Sequence, residues 1–371
     1  MTTLPIYLSR RTLPGSAPAR TELPSLTFRI RIALRRWSRW EFWPAWIIYT
    51  LLLPRFVRLA LRHRSLSVFA AANPGMPLGG FVGESKFDIL KQLPDDWTLP
   101  TESVEPGLAD ARRAALDRAV QGRGWHFPLV LKPDVGERGT DVALVGSPTE
   151  AAAYFTRVRS RVLVQPYHPG PYEAGIFYVR HPGDARGFIF SITDKRQPHV
   201  SGDGRSSLRT LIWHNERLSL QAATLLRQLG AAADRVPAPG ERVLLSIAGN
   251  HCRGTMFLDG RALITPALER RIDEIAKSYT GFFFGRFDLR YANPEAFANG
   301  DDFRIVELNG VLSESTNIYD PSWSLLRGLR TLAAQWSLAF EIGAANARAG
   351  VPIPTVRDLI RAARVHRART P

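Results

Sequence analysis

The chain has 371 residues, 45% of them hydrophobic, which is enough for two or three domains with their own cores. Its single cysteine, Cys252, excludes an intramolecular disulfide and a cysteine-built zinc site, and fits a reducing, cytoplasmic compartment. The formal net charge of +15 sits at the ends: twelve arginines against Glu22 and Glu41 in residues 1–70, and five against Asp358 in residues 356–371. A nucleic-acid enzyme carries its basic stripe on the folded body, so nucleic acid is not an expected partner, whereas basic ends on a near-neutral body suit an anionic membrane surface at the inner face of the membrane.

Residues 1–27 are rich in proline, serine, threonine and arginine, have no apolar period, and are expected to be disordered. No apolar h-region follows the first charges, so they do not read as a secretory signal. Residues 28–65 form a Trp/Arg-rich helical segment. Its apolar run from Phe42 to Leu53 is 12 residues long, short of the roughly 20 that span a bilayer as a helix. Pro54 is expected to interrupt the run, with Arg55, Arg58 and Arg62 following on one helical face. Tryptophan beside arginine is the composition of an interfacial element; a helix pair packed on the main body is the equal alternative.

Residues 66–350 read as an α+β catalytic region, and 351–371 as a basic C-terminal helix or tail. Strands are expected at 127–133, 141–146, 162–167, 174–180, 187–195, 281–291 and 303–310. A helix follows Ser147, with Pro148 at its first position and Glu150 completing a capping box. A second helix covers 266–279, and a long one covers about 323–349, ending at Gly350. No internal repeat is present.

Chemistry concentrates at three places. In "FRIVELNG" Glu307 and Asn309 lie two residues apart on one face of a strand, and in "GRFDLRY" Arg286, Asp288 and Arg290 share a face. Paired antiparallel, the two strands bring Asp288 to Glu307 and Asn309, three oxygen ligands for a hard cation such as Mg2+. Only five of the 49 basic residues are lysines, and one of them, Lys132, sits inside the apolar strand "FPLVLKP". A buried lysine needs an anionic partner, and Gly136 and Gly139 just beyond it allow a loop whose N–H groups close over phosphate. The polar stretch "VLSESTNIYDP" follows the 303–310 strand directly, so Ser313, Glu314 and Ser315 are candidate substrate residues. His214 and His251 suit a structural role better than a phosphate-carrier one.

Five motifs in order, Lys86 in "GESKFDIL", then "LVLKPDVGERGTDV", "VLVQPYHPGPYEAGIF", "GRFDLRY" and "FRIVELNG", resemble the ATP-grasp superfamily over about residues 83–320. The similarity is to its carboxylate–amine ligases, such as D-alanine–D-alanine ligase. "SITDKRQPHVSGDGRSSLRTLI" and "RVLLSIAGNHCRGTMFLDG" are similar to the ATP-grasp module of cyanophycin synthetase.

The resemblance implies two α+β subdomains gripping ATP. Lys86 and Lys132 would contact its phosphates beneath the 134–140 loop, Gln165 and Tyr167 the adenine edge through their backbone, and Glu173 the ribose. Lys195 would be a further phosphate or adenine contact, Asp288, Glu307 and Asn309 the Mg2+ ligands, and Arg286 the cation steadying an anionic tetrahedral intermediate. It further implies an ATP- and Mg2+-dependent ligase joining an unknown carboxylate to an unknown amine through an acyl phosphate. The alternatives are a phosphotransferase on the same fold and a membrane-attached nucleotide-binding module without turnover. Two features depart from the family: Gln165-Pro166 at the hinge, and no substrate domain of alternating strands and helices before Lys86.

Overall fold

The computed structural model describes residues 6–7, 25–136, 139–247 and 249–369. A strand at Ile6–Tyr7 (β1) and the start of helix α1 (Leu26–Trp37), capped by Ser25, fall inside the stretch expected to be disordered. The rest of that stretch lies outside the described residues. Helix α2 (Ala45–His63) runs straight through Pro54, contrary to the expected interruption. The N–H that proline lacks would have met the carbonyl of Thr50, and both residues are exposed, so the gap opens to solvent instead of the core. The short helix α3 (Lys86–Leu90) follows, capped by Ser85.

The first sheet is antiparallel. It is built from β2 (Glu102–Val104), β3 (Leu129–Pro133), β4 (Ala143–Val145) and β5 (Val162–Pro166) in the order β2-β5-β3-β4. Helices α4 (Ala109–Arg123) and α5 (Pro148–Arg157) share its core, through Leu116, Ala151, Tyr154 and Phe155. Ser147 caps α5 as its sequence foretold, while Glu150 reaches back to the N–H of Gly146, one residue beyond the cap.

A second antiparallel sheet carries most of the chemistry. Its strands are β6 (Tyr172–Val179), β7 (Phe188–Arg196), β10 (Met256–Asp259), β11 (Phe284–Tyr291) and β12 (Phe303–Asn309), in the order β10-β7-β6-β11-β12. Between β7 and β10 the chain forms a small satellite with its own core: β8 (His199–Ser201), α6 (Leu208–His214), α7 (Ala222–Leu229) and β9 (Arg242–Leu244), which also pairs with β1. Helix α8 (Pro266–Ser278) covers one face of the large sheet. The short α9 (Pro294–Ala298) sits in the β11–β12 connection, and α10 (Leu325–Arg348) packs on the opposite face. Helix α11 (Val356–Arg369) closes the chain.

The face under α10 changes character along its strands. Phe177, Val179 and Phe284 pack against Trp336 and Phe340; further along, Glu173, Arg286, Asp288 and Arg290 take the same side and look into the cleft between the two sheets. Thus the α+β expectation holds, with two sheet-and-helix halves facing one another.

The Trp/Arg-rich segment packs on this body. Ile48, Leu52 and Leu59 of α2 are buried, and Trp40 donates its indole N–H to the Trp323 carbonyl at 2.9 Å. Two of the three arginines expected on a free face turn to α10: Arg55 donates to Ser337 Oγ at 3.2 Å, and Arg62 lies 3.6 Å from Glu341. No helix among the described residues is long and apolar enough to cross a membrane.

Candidate active site

A local irregularity sets the site. Phe303, Ile305 and Leu308 of β12 all face the core, and strict alternation from Phe303 would send Glu307 and Asn309 the same way. The pairing of β11 with β12 shifts between Asp288 and Leu289, so Asp288 stands opposite Glu307 while Leu289 stands opposite Ile305. Val306 is the extra residue of a β-bulge, and the bulge turns Glu307 and Asn309 to the cleft. The freed carbonyl of Val306 accepts from Lys132 Nζ at 2.9 Å, so the lysine of the first sheet reaches across the cleft to the second.

Asp288 is the hub. Arg286 Nε and Nη2 donate to its two oxygens at 3.0 Å each, Lys195 Nζ to Oδ1 at 3.0 Å, and Asn309 Nδ2 to Oδ2 at 3.2 Å. Burial alone would raise its pKa, but the Arg286 guanidinium and the Lys195 ammonium outweigh burial and hold it at about 2. Lys195 also pairs with Glu173 at 3.0 Å; its pKa moves up, because Asp288 and Glu173 overcome desolvation. Gly175 makes room for this cluster, since a Cβ there would stand 3.1 Å from both Arg286 Cδ and Asp288 Oδ1. The carboxylates are therefore not left to repel one another. Fixed cations already neutralise them.

Lys132 has the opposite balance. Desolvation lowers its pKa to about 8 despite the pull of Glu307. A cation so poorly compensated is well placed to receive an anion. Lys86 stands beside it, with Nζ 2.5 Å from the Gly136 carbonyl and 3.7 Å from Glu307. Gly136 and Gly139 line the cleft, the latter at φ +69°, and Glu137 and Arg138 between them lie outside the described residues.

Other expected residues are held differently from the expectation. The Tyr167 N–H donates to the Pro128 carbonyl at 3.3 Å, and the Gln165 side-chain amide to Thr101 Oγ1 at 2.8 Å, so this Tyr167 donor is engaged within the first half. Glu173 lines the cleft beside Gly249, where a Cβ would collide with its carboxylate. Ser315 is a correction. It is fully buried, bonded to Ser191, Asn317 and Gln335, and does not line the cleft, so it anchors the loop to β7 and α10. Ser313 and Glu314 do line the cleft.

Together these residues surround a cavity of about 950 Å³, the size of a cofactor site. Its far end reaches residues that sequence reasoning had not placed there: Glu41, Trp43 and Tyr49 of the N-terminal segment, with His251 and Trp336. For the first three the only signal was the tryptophan density of a segment read as either interfacial or core.

Among the described residues, no group of three or more His, Cys, Asp or Glu side chains could hold a metal by itself. Two carboxylates and one amide are present, and that donor set fits Mg2+, which is held by one or two carboxylates together with phosphate oxygens. Glu307, whose one ion pair is the loose 3.7 Å contact with Lys86, and the carbonyl oxygen of Asn309 are the members least engaged by the arginine and lysine pairs.

No family model matches the sequence, and no curated protein matches it. Solved structures with similarity include a D-cycloserine synthetase, at 15% identity over 70% of this chain and 73% of that chain, with a TM-score of 0.40. D-alanine–D-alanine ligase from Bacillus anthracis has 13% identity over 71% and 67%, with a TM-score of 0.40. The bifunctional glutathione synthetase from Pasteurella multocida has 17% identity over 67% of this chain but 35% of its own, with a TM-score of 0.35. Likeness at this level carries no argument about activity, which rests on the site.

Proposed function

We propose that the protein is an ATP- and Mg2+-dependent ligase of ATP-grasp type that joins a carboxylate to an amine through an acyl phosphate. The observation that carries this reading is the convergence of Lys132 and Lys86 from one half on Arg286, Asp288, Glu307 and Asn309 from the other, across one cleft. Lys132 and Lys86 bind the nucleotide phosphates, which replace the carbonyl contacts these lysines now make. Glu307 and Asn309, with Asp288 beside them, would hold Mg2+, which when bound would neutralise charge at the phosphate oxygens. A carboxylate oxygen of the substrate attacks the γ-phosphorus and ADP leaves; the amine then attacks the acyl carbon and phosphate leaves. Arg286 is locked by Asp288 and by its Nη1 bond to the Glu314 carbonyl at 3.0 Å. With three of its five N–H groups so used, two remain to meet the developing oxyanion without reorganisation.

The fate of the phosphate tests the reaction. Purified protein with MgATP and pooled carboxylates and amines should release inorganic phosphate in step with a new amide found by mass analysis. Hydroxylamine should intercept the acyl phosphate as a hydroxamate. Stable transfer of label from [γ-32P]ATP to an acceptor would instead make it a phosphotransferase. In the same assay Lys132→Ala should weaken ATP binding by about 10- to 100-fold, the value of one charge-assisted contact. Unchanged affinity would put the phosphates elsewhere.

The location we propose is peripheral, on an anionic cytoplasmic membrane surface. Leu26, Ile30, Leu34 and Trp37 of α1 are exposed at helical spacing, as are Trp46, Leu53, Val57 and Leu61 of α2, the last 74% exposed. Arginines flank both rows, and each contributes about 1 kcal/mol near anionic headgroups. The full chain should float with phosphatidylglycerol vesicles, less so as salt rises, and not with neutral ones. Equal flotation with both would remove the electrostatic part.

A further inference from the structure

Four of the carboxylates lining the cleft pair with cations. Glu41 meets Arg217 and His251, Glu173 meets Lys195, Asp288 meets Arg286 and Lys195, and Glu307 meets Lys86. Glu314 meets two phenols instead. Tyr49 of α2 donates to its Oε1 at 2.6 Å and Tyr319 to its Oε2 at 3.1 Å. Burial and the neighbouring Glu314 carboxylate push both phenols upward, so they remain donors. Two hydrogen bonds fix the position of the carboxylate without neutralising it. A half-buried carboxylate in that condition is favourable ground for a cation.

The surroundings narrow the cation. Trp43, Tyr49, Tyr319 and Trp336 line the same end of the cleft, and aromatic faces around a carboxylate attract an organic ammonium group more than a hard metal ion, which wants several oxygens. The position narrows its role. The backbone carbonyl of Glu314 is bonded to Arg286 Nη1, so an ammonium on its side chain sits beside the guanidinium assigned to the oxyanion.

From this geometry we infer that Glu314 binds the ammonium group of the amine substrate in an aromatic pocket, one wall of which is the N-terminal helix α2. The inference rests on the ligase reading and specifies its second substrate as a primary amine that arrives charged. It also gives the N-terminal segment a role, because Tyr49 and Trp43 supply the acceptor wall that the chain otherwise lacks before Lys86.

Calorimetric titration of the full chain separates the two ideas. MgATP is titrated first. Benzylammonium and n-butylammonium follow, each compared with its neutral counterpart, benzyl alcohol or n-butanol. The wild type should prefer each cation over its alcohol by about 10-fold or more, the scale of a charge-assisted bond with cation–π support. Glu314→Gln keeps the shape and can still bond both tyrosines, so its melting temperature should match the wild type while the cation preference disappears. Tyr49→Phe should reduce the preference partly, since one of the two bonds fixing the carboxylate is lost. A wild type that binds MgATP without preferring the cations, or a Glu314→Gln variant that keeps the preference, overturns this inference alone. A wild type that fails to bind MgATP overturns the ligase reading and this inference with it.

Discussion

Glu307→Gln is expected to cut Mg2+-dependent ATP turnover by about 100-fold or more, as loss of a direct ligand exceeds the 10- to 100-fold typical of its outer partners. The fold should be indifferent. Glu307 is partly exposed and its nearest cation, Lys86, is 3.7 Å away, which makes it a weak contributor to stability. The variant should melt with the wild type, and the gain in ATP affinity on adding Mg2+ should vanish. Asp288→Asn looks equivalent in the sequence but is not. Its carboxylate is nine-tenths buried between Arg286 and Lys195, and removing it takes the main counter-charge from two buried cations, a change worth about 3–5 kcal/mol. It should lose activity and melt early. Early melting of both variants, or normal turnover in Glu307→Gln, would take Glu307 out of the metal site.

Deleting residues 1–65 should prevent a stable fold, although the segment precedes every expected catalytic residue. Ile48 and Leu52 form a core with Ile318, Trp323 and Leu332, while Leu59 packs with Trp336 and Phe340. At about 1.5–3 kcal/mol per fully buried large side chain, loss of these three alone approaches the 5–15 kcal/mol that usually separates folded from unfolded. The fragment is expected to aggregate, or to bind a hydrophobic dye and melt without cooperativity. A soluble, cooperatively folding 66–371 fragment would mean that the segment is an attachment and not part of the body. Membrane binding and packing are compatible here, because α1 and α2 present one face inward and leave another exposed.

The strands were legible where apolar runs are cut by glycine and proline. "FPLVLKP", "VLVQPY" and "FRIVELNG" fall within a residue or two of β3, β5 and β12, and the caps of α5 and α8 were readable in Ser147-Pro148 and Thr265-Pro266. Helix α4 was not read, because its alanines and arginines give little amphipathic contrast for so short an element. The satellite around β8 and β9 was missed for another reason. Its strands are three residues long, too short to show a period.

By itself the sequence determined which chemistry is available: an isolated lysine in an apolar strand, two carboxylates and an amide near strand ends, and an arginine two residues before one of them. Which groups meet was decided by tertiary structure. A one-residue bulge at Val306 rotates Glu307 and Asn309 from the core face to the cleft, and alternation read from the sequence cannot register an unpaired residue. Arg286 meets Asp288 from two residues away on the same strand, but Lys195 reaches it from a strand 93 residues earlier in the chain. Only part of the strong ionisation of Asp288 was therefore local pattern, and the rest follows from sheet order. Tyr49 reaches Glu314 across 265 residues, because burying Ile48 and Leu52 aims the residue between them at the cleft. The sequence told that this segment was apolar with arginines on one later face, but only packing chose what each side of α2 would meet.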